Sequence, residues 1–283
     1  MGFIRDTTLY HAAACVNQSN EDRAKELGAK PPRIPVSQIG HCPRQAILEA
    51  VRYHPNHPLH TDITHPFDTY VMEVLQAGNV WEPETGKALS RRLGDRVHWE
   101  RGDPELLVGD DIWSGHIDFL VEPCEEYPIG AVIEHKATNP WNFSAKNRLP
   151  YPFHCMQVLM YERLARRKFG LPDPMPVWLY YRSWNNWAEL MVWDEDDAIV
   201  WEGTINNSFK SGVIEESLDE RIRLLEEYWK AQELPPRYET PIAEPFTCAR
   251  AKNGTGRPSC KYFGYCWPDM AQFETFSTEE FKS

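Results

Sequence analysis

Apolar and polar positions change period several times along the chain, and each change marks an element. Residues 1–35 are polar and end in KPPRIP, an arm feeding the domain that follows. In VSQIGHCPRQAILEAVRY, the residues Ile39, Ala46, Ile47, Ala50 and Val51 form an approximate helical stripe, which predicts a turn and then a helix. HPNHPLHTDITHP is a loop, because Pro breaks any helical register and its four His match no zinc spacing. A long helix is expected from about Pro66 to Leu89, interrupted or bent near Gly78 and Pro83. Between residues 92 and 138, RVHWERG, ELLVGD, WSGHIDFLVEP and GAVIEHKAT alternate or run apolar and read as strands joined by turns. Helical periodicity returns from Phe153 to Phe169. MPVWLYYRS and WAELMVWD are two further strands, and the stretch from Asp194 to Glu233 reads as helical again. The tail from Leu234 is Pro-rich.

This order predicts a single α/β domain, a central mixed sheet flanked by helices. Its parts are an arm over 1–35, a core over 36–233 and a Cys-rich segment over 234–283.

Composition narrows the class. With 283 residues, 42% apolar and 25% charged, the chain has the profile of a soluble globular protein. A net charge of −12 argues against a protein that coats nucleic acid. It does not argue against a nuclease, whose metal site needs carboxylates. A local basic groove has candidates in Lys146, Arg148, Arg163, Arg166, Arg167 and Lys168. The N-terminus lacks a signal-peptide layout, and no stretch approaches the roughly 20 apolar residues of a membrane span. Cytoplasmic location is therefore expected, and there the seven Cys are free or metal-bound thiolates rather than disulfides.

Candidate chemistry sits in WSGHIDFLVEP and GAVIEHKAT. Asp118 falls within an apolar strand pattern. Glu134 and Lys136 are two apart on a second strand, so period-2 geometry puts both on one face. A buried, unpaired Glu or Lys is costly. The three residues form either a cross-strand ion pair or a site for Mg²⁺ or Mn²⁺, with two carboxylates and the His135 carbonyl as hard oxygen ligands. The second arrangement suits phosphodiester hydrolysis, with Lys136 orienting or deprotonating a water, or offsetting charge on the phosphate. Upstream, Gly78 and then Glu82 on a helix bring a further carboxylate. Gly115 removes bulk where a backbone passes close. Downstream, Gln157 and Tyr161 share a helical face and are placed to hydrogen-bond Lys136 or a DNA phosphate.

The ordered set Gly78-x-x-x-Glu82, Gly115-x-x-Asp118, Glu134-x-Lys136 and Gln157-x-x-x-Tyr161 resembles the motifs of the RecB-like branch of PD-(D/E)XK nucleases, over roughly residues 42–165. Many members carry His where this chain has Glu82, a position that a carboxylate can fill. The resemblance implies a restriction-endonuclease-like fold and a metal-dependent exonuclease acting on single-stranded DNA ends. In that reading Glu82, Asp118, Glu134 and His135 hold the metal, and Asp118, Glu134, Lys136, Gln157 and Tyr161 are catalytic. It also implies a bacterial or phage-infected cell, with recombination or repair proteins as partners and no membrane. Trp141, Phe143 and Tyr151, beside Lys146 and Arg148, are candidates to line a channel for the strand.

Cys42 stands before these motifs and Cys248, Cys260 and Cys266 after them, as Cys-x11-Cys-x5-Cys. Four thiolates can hold a [4Fe–4S] cluster or a structural Zn²⁺. Some RecB-like nucleases carry such a cluster with one Cys before and three after, and the arrangement here is similar, although its first C-terminal gap is longer than theirs. Such a cluster joins the two ends of the chain. Cys15, Cys124 and Cys155 are expected to be buried apolar Cys. Two other functions remain open on the same fold: a non-catalytic DNA-binding adaptor, and a structure-specific or site-specific endonuclease.

Overall fold

A computed structural model describes residues 26, 28–63, 69–100, 103–144, 149–171, 173–239 and 260–268, without the side chains of 69–79, 105, 141 and 144. The chain forms two compact units. One comprises Met1–Pro32, His41–Thr69 and Tyr228–Ser283, and the other Arg33–Gly40 and Tyr70–Glu227.

The chain elements, in order, are β1 (Ile34–Pro35), α1 (Pro43–Ala50), α2 (Thr69–Leu93), β2 (Val97–His98), β3 (Leu107–Gly109), β4 (Trp113–His116), β5 (Phe119–Val121), β6 (Ala131–Ala137), α3 (Trp141–Ser144), α4 (Pro152–Phe169), β7 (Val177–Arg182), β8 (Trp187–Glu195), β9 (Ala198–Ile205), β10 (Ser208–Ile214), α5 (Leu218–Ala231) and α6 (Phe263–Cys266). The class is mixed α/β, as the element order predicts. The larger unit holds a seven-stranded sheet in the order β10-β9-β8-β7-β6-β5-β2 and a three-stranded sheet in the order β1-β4-β3.

Within the larger sheet, β6 and β7 run parallel while their neighbours are antiparallel. A parallel pair needs a long crossover, and α4 supplies it. Pro152 begins this helix, where its missing N–H costs nothing, and Gly170 caps it at φ 63°. One face of β6 packs Ala131 and Ile133 with Val97, Phe119 and Val121, backed by Leu89 and Leu93 of α2. The other face, carrying Glu134, lies toward α4.

Two expectations change. The helix α2 is not interrupted at Gly78 or Pro83 and runs on to Leu93; its predicted start at Pro66 lies outside the described residues. The stretch from Asp194, expected to be helical, instead forms the end of β8, then β9 and β10, and turns helical only at Leu218. Asp196, Asp197, Asn206 and Asn207 all take positive φ, the conformation that tight hairpin turns demand of both central residues. Those two Asx pairs fold the segment into a meander and override its apolar spacing.

In the smaller unit, Leu48 of α1 packs with Cys260 and Tyr262. Lys261 is buried against Glu49 at 2.5 Å, and the Tyr262 hydroxyl donates to the Leu48 carbonyl at 3.4 Å. Segments far apart in sequence are thus joined here by apolar contact and a buried ion pair. Among the described residues no helix is long and apolar enough to cross a membrane.

Candidate active site

On β6, Lys136 Nζ donates to Glu134 Oε1 at 2.5 Å, as the two-residue spacing predicts. Glu134 is buried and Lys136 is partly buried, its ammonium desolvated in the same pocket. From α4, Gln157 Nε2 donates to the same Oε1 at 2.7 Å and to the Tyr161 hydroxyl at 3.3 Å. The partner of Gln157 is therefore Glu134, not Lys136. Both Gln157 and Tyr161 are buried, and a buried amide with its donors used is a positioning group rather than a surface one. Glu134 Oε1 thus accepts two hydrogen bonds; Oε2 is buried with no N–H donor among the described residues, and the Asp118 carboxyl hydrogen-bonds to Glu134.

Asp118 does not lie within a strand. It stands at the step between β4 and β5, where the chain leaves the three-stranded sheet for the seven-stranded one. That break frees its side chain to face β6, where Oδ2 accepts the backbone N–H of His135 at 2.8 Å. Desolvation first, then the charge of Glu134, pushes the Asp118 carboxyl up to about 8, against the pull of Lys136 and the His135 N–H. Glu134 is likewise raised, mainly by desolvation, with Lys136 opposing. Two carboxyls and one ammonium share a poorly hydrated pocket, and a proton takes the place of a missing positive charge. Glu82 from α2 adds a third carboxylate within electrostatic reach, raising both Glu134 and Lys136.

His135 faces the opposite way. Its ring lies 5.5 Å from that of Tyr180, its Nε2 is buried without a partner, and burial lowers its pKa to about 4, so it is neutral. Only its backbone takes part in the pocket.

Gly115 does make room, but for a ring rather than a backbone. A Cβ there would stand 2.4 Å from Cε1 of Tyr161 and 3.1 Å from Val36. Gly115→Ala is therefore expected to lower stability by about 1–3 kcal/mol through overpacking. Thermal unfolding reads this directly, and an unchanged Tm would mean that the Tyr161 ring is not wedged there.

No protein-family model matches the chain, and no curated protein matches it. Among solved structures, the chain is similar to the crystal structure of SSO0001, at 15% identity over 77% of this chain and 88% of that one, with a TM-score of 0.39.

The expected basic groove is not formed by α4. Arg163 is paired with Asp194 at 2.6 Å and with Asp219, and Arg166 with Glu162 at 2.5 Å and Asp173 at 2.6 Å. Arg167 reaches Asp110 at 3.5 Å, while Lys168 donates to the carbonyls of Pro104 at 2.7 Å and Leu107 at 3.0 Å. The three Arg are thus matched to carboxylates and Lys168 is engaged by two backbone carbonyls. Tyr151 is no channel wall: it is 5% exposed and stacks on Phe153 at 5.3 Å. Phe143 is half-buried, and Lys146, Arg148 and the side chain of Trp141 lie outside the described residues.

Sequence reasoning missed a cluster at the same end of the β6–β7 pair. Arg182 lies over the Trp81 ring at 4.2 Å, and Trp184 meets that ring edge-on at 5.6 Å. The available signal was SWNN, a Trp set in a turn, where burial cannot be its role.

In the smaller unit, Cys42 is buried at the N-cap of α1, Cys260 is buried beside Tyr262, and Cys266 ends α6. Burial raises the Cys266 thiol first; Arg44 hydrogen-bonds it and lowers it, and Cys42 raises it, so the two thiols are electrostatic neighbours. Cys248 and Cys15 lie outside the described residues. Among the described residues no group of three or more His, Cys, Asp and Glu side chains is drawn together in metal-holding fashion. Cys155 is fully buried, as expected, whereas Cys124 is half-buried.

Proposed function

We propose that the chain is a metal-dependent deoxyribonuclease whose site is built from Asp118, Glu134 and Lys136. The observation that carries this reading is the split environment of Glu134. One oxygen is fixed by Lys136 and Gln157, the other is buried with no N–H donor among the described residues, and the adjacent Asp118 carboxyl keeps its proton and hydrogen-bonds to Glu134. Burying two adjacent carboxyls costs free energy that a structural ion pair with a single lysine does not return. A divalent cation fits such a donor set: hard oxygens, one or two carboxylates, and remaining positions left for water and phosphate. Asp118, Glu134 and the His135 carbonyl would hold Mg²⁺ or Mn²⁺, with Glu82 as a further carboxylate.

When bound, such a cation polarises a phosphoryl oxygen and acidifies a water. Lys136, held at Glu134, offsets charge building on the phosphate and orients the attacking water. Gln157 fixes the rotamer of Glu134, and Tyr161, seated against Gly115, fixes Gln157. Removing either acts through the geometry of Glu134 rather than by touching substrate.

The ordered motifs support membership of the RecB-like branch of PD-(D/E)XK nucleases, with its restriction-endonuclease-like fold. On that reading the enzyme shortens single-stranded DNA from its ends in recombination, repair or phage DNA processing. End-labelled linear single-stranded DNA with Mn²⁺ should be progressively shortened, while a circular strand survives. Circles cut as fast as linear strands would make the enzyme an endonuclease instead.

The thiols support a second proposal, a [4Fe–4S] cluster on Cys42, Cys248, Cys260 and Cys266, with Zn²⁺ as the alternative. The donor set fits. Cys42, Cys260 and Cys266 share one unit, and although burial raises the Cys266 thiol, Arg44 and Arg237 oppose that rise. Such a group supplies a cross-link between distant segments. Protein purified without oxygen should be brown, and Cys42→Ser or Cys266→Ser should lose the colour and lower Tm. Colourless protein with stoichiometric zinc would reverse the choice of metal.

A further inference from the structure

We propose that Arg182, Trp81 and Trp184 form a platform that holds a single strand of nucleic acid beside the candidate site, with a base stacked on Trp184 and a phosphate on Arg182. This rests on the nuclease reading for its substrate and names the residues that would hold the strand. Trp184 is 81% exposed, a large apolar ring left in water at the turn between β7 and β8. An exposed indole offers a flat face on which a base can stack. It is not loose, because its ring meets Trp81 edge-on at 5.6 Å.

Arg182 completes the surface. Its guanidinium lies 4.2 Å from the centroid of Trp81, and among the described residues no carboxylate is paired with it. Glu84, the acid on which its charge acts, is already bonded to Lys87 at 2.8 Å. Arg182 contrasts with Arg163, Arg166 and Arg167, each matched to a carboxylate. A planar cation resting on an indole keeps its donors for a phosphate, and base stacking on an aromatic is tolerant of sequence.

Register puts the cluster at the same end of the sheet as the site. Arg182 pairs with Ala137 and Tyr181 with Lys136, so Arg182 lies one residue beyond the lysine's partner and on the other face of the sheet, the face of His135. Trp81 precedes Glu82, whose charge acts on Glu134 and Lys136.

The test is the anisotropy of a labelled short oligothymidylate in EDTA with wild type, Trp184→Ala and Arg182→Ala. Trp184 is outside the core, so its removal leaves the fold intact. Each variant should weaken binding about tenfold. With Mn²⁺, Trp184→Ala should raise KM for the oligonucleotide with little change in kcat. It should leave hydrolysis of thymidine 5′-p-nitrophenyl phosphate, which has no flanking base, unchanged. Wild-type affinity in both variants, or no oligothymidylate binding by wild type, overturns the platform. Cleavage that is intact and insensitive to Trp184 would sink the platform and leave the nuclease reading standing. Trp184-dependent binding without cleavage of either substrate would do the reverse.

Discussion

Lys136→Ala should lower kcat on DNA by about 10²–10⁴-fold, the range for losing a positioned acid–base or charge-stabilising group. The loss should fall on kcat rather than KM, because the ammonium works on charge that develops at the phosphate in the transition state. The fold should survive. With Lys136 gone, the carboxyls of Asp118 and Glu134, already raised by desolvation, hold a proton more firmly, so little uncompensated charge is buried at neutral pH. Circular dichroism and Tm measured on the same preparation separate lost chemistry from lost structure. Lys136→Arg should recover little, since the guanidinium fork cannot reproduce the short Nζ contact to Glu134 at 2.5 Å.

Asp118→Asn should have two effects of opposite sign. Cation-dependent cleavage should fall by about 10³-fold or more, because one of the two buried carboxylates is neutralised and the pocket no longer favours a divalent ion. Metal-free protein should become more stable at alkaline pH. The Asp118 pKa is about 8 in the fold against an ordinary 3.8, so the folded chain retains a proton that the unfolded chain has lost. Stability is then lost as pH rises toward 8. His135, lowered to about 4, acts oppositely, but only below its ordinary 6.5. His98, raised by Glu122 and Asp103 against desolvation, adds a decline of the same sign as Asp118 above 6.5. The window is therefore pH 6.5–8, and the difference between wild type and Asp118→Asn is the readout. Wild type should lose on the order of 1–2 kcal/mol across it, a few degrees in Tm, and the variant clearly less. Parallel slopes would contradict the raised Asp118 carboxyl.

Much of this pocket was legible in the sequence because it depends on local period. Glu134-x-Lys136 on a strand and Gln157-x-x-x-Tyr161 on a helix each fix a shared face. What lies between elements was not legible. Asp118 reads as mid-strand because apolar alternation runs straight through WSGHIDFLV, yet the change of sheet at Ile117–Asp118 is a tertiary event. Gly115 signalled a close approach, but nothing in the sequence says that a tyrosine ring from α4 makes it. The Arg-rich end of α4 looked like a phosphate track because its partners, Asp110, Asp173, Asp194 and Asp219, come from other segments. The hairpins after Asp194 could have been read from their Asp-Asp and Asn-Asn pairs, which favour positive φ.

The most direct test of the central claim is the rate of nucleotide release from labelled linear single-stranded DNA, in Mn²⁺ and in EDTA, with folded wild type, Lys136→Ala and Asp118→Asn side by side. The account predicts cleavage by wild type in Mn²⁺ alone and its near-complete loss in both variants. Digestion at the wild-type rate by either variant, or no cation-dependent cleavage by wild type, would contradict it.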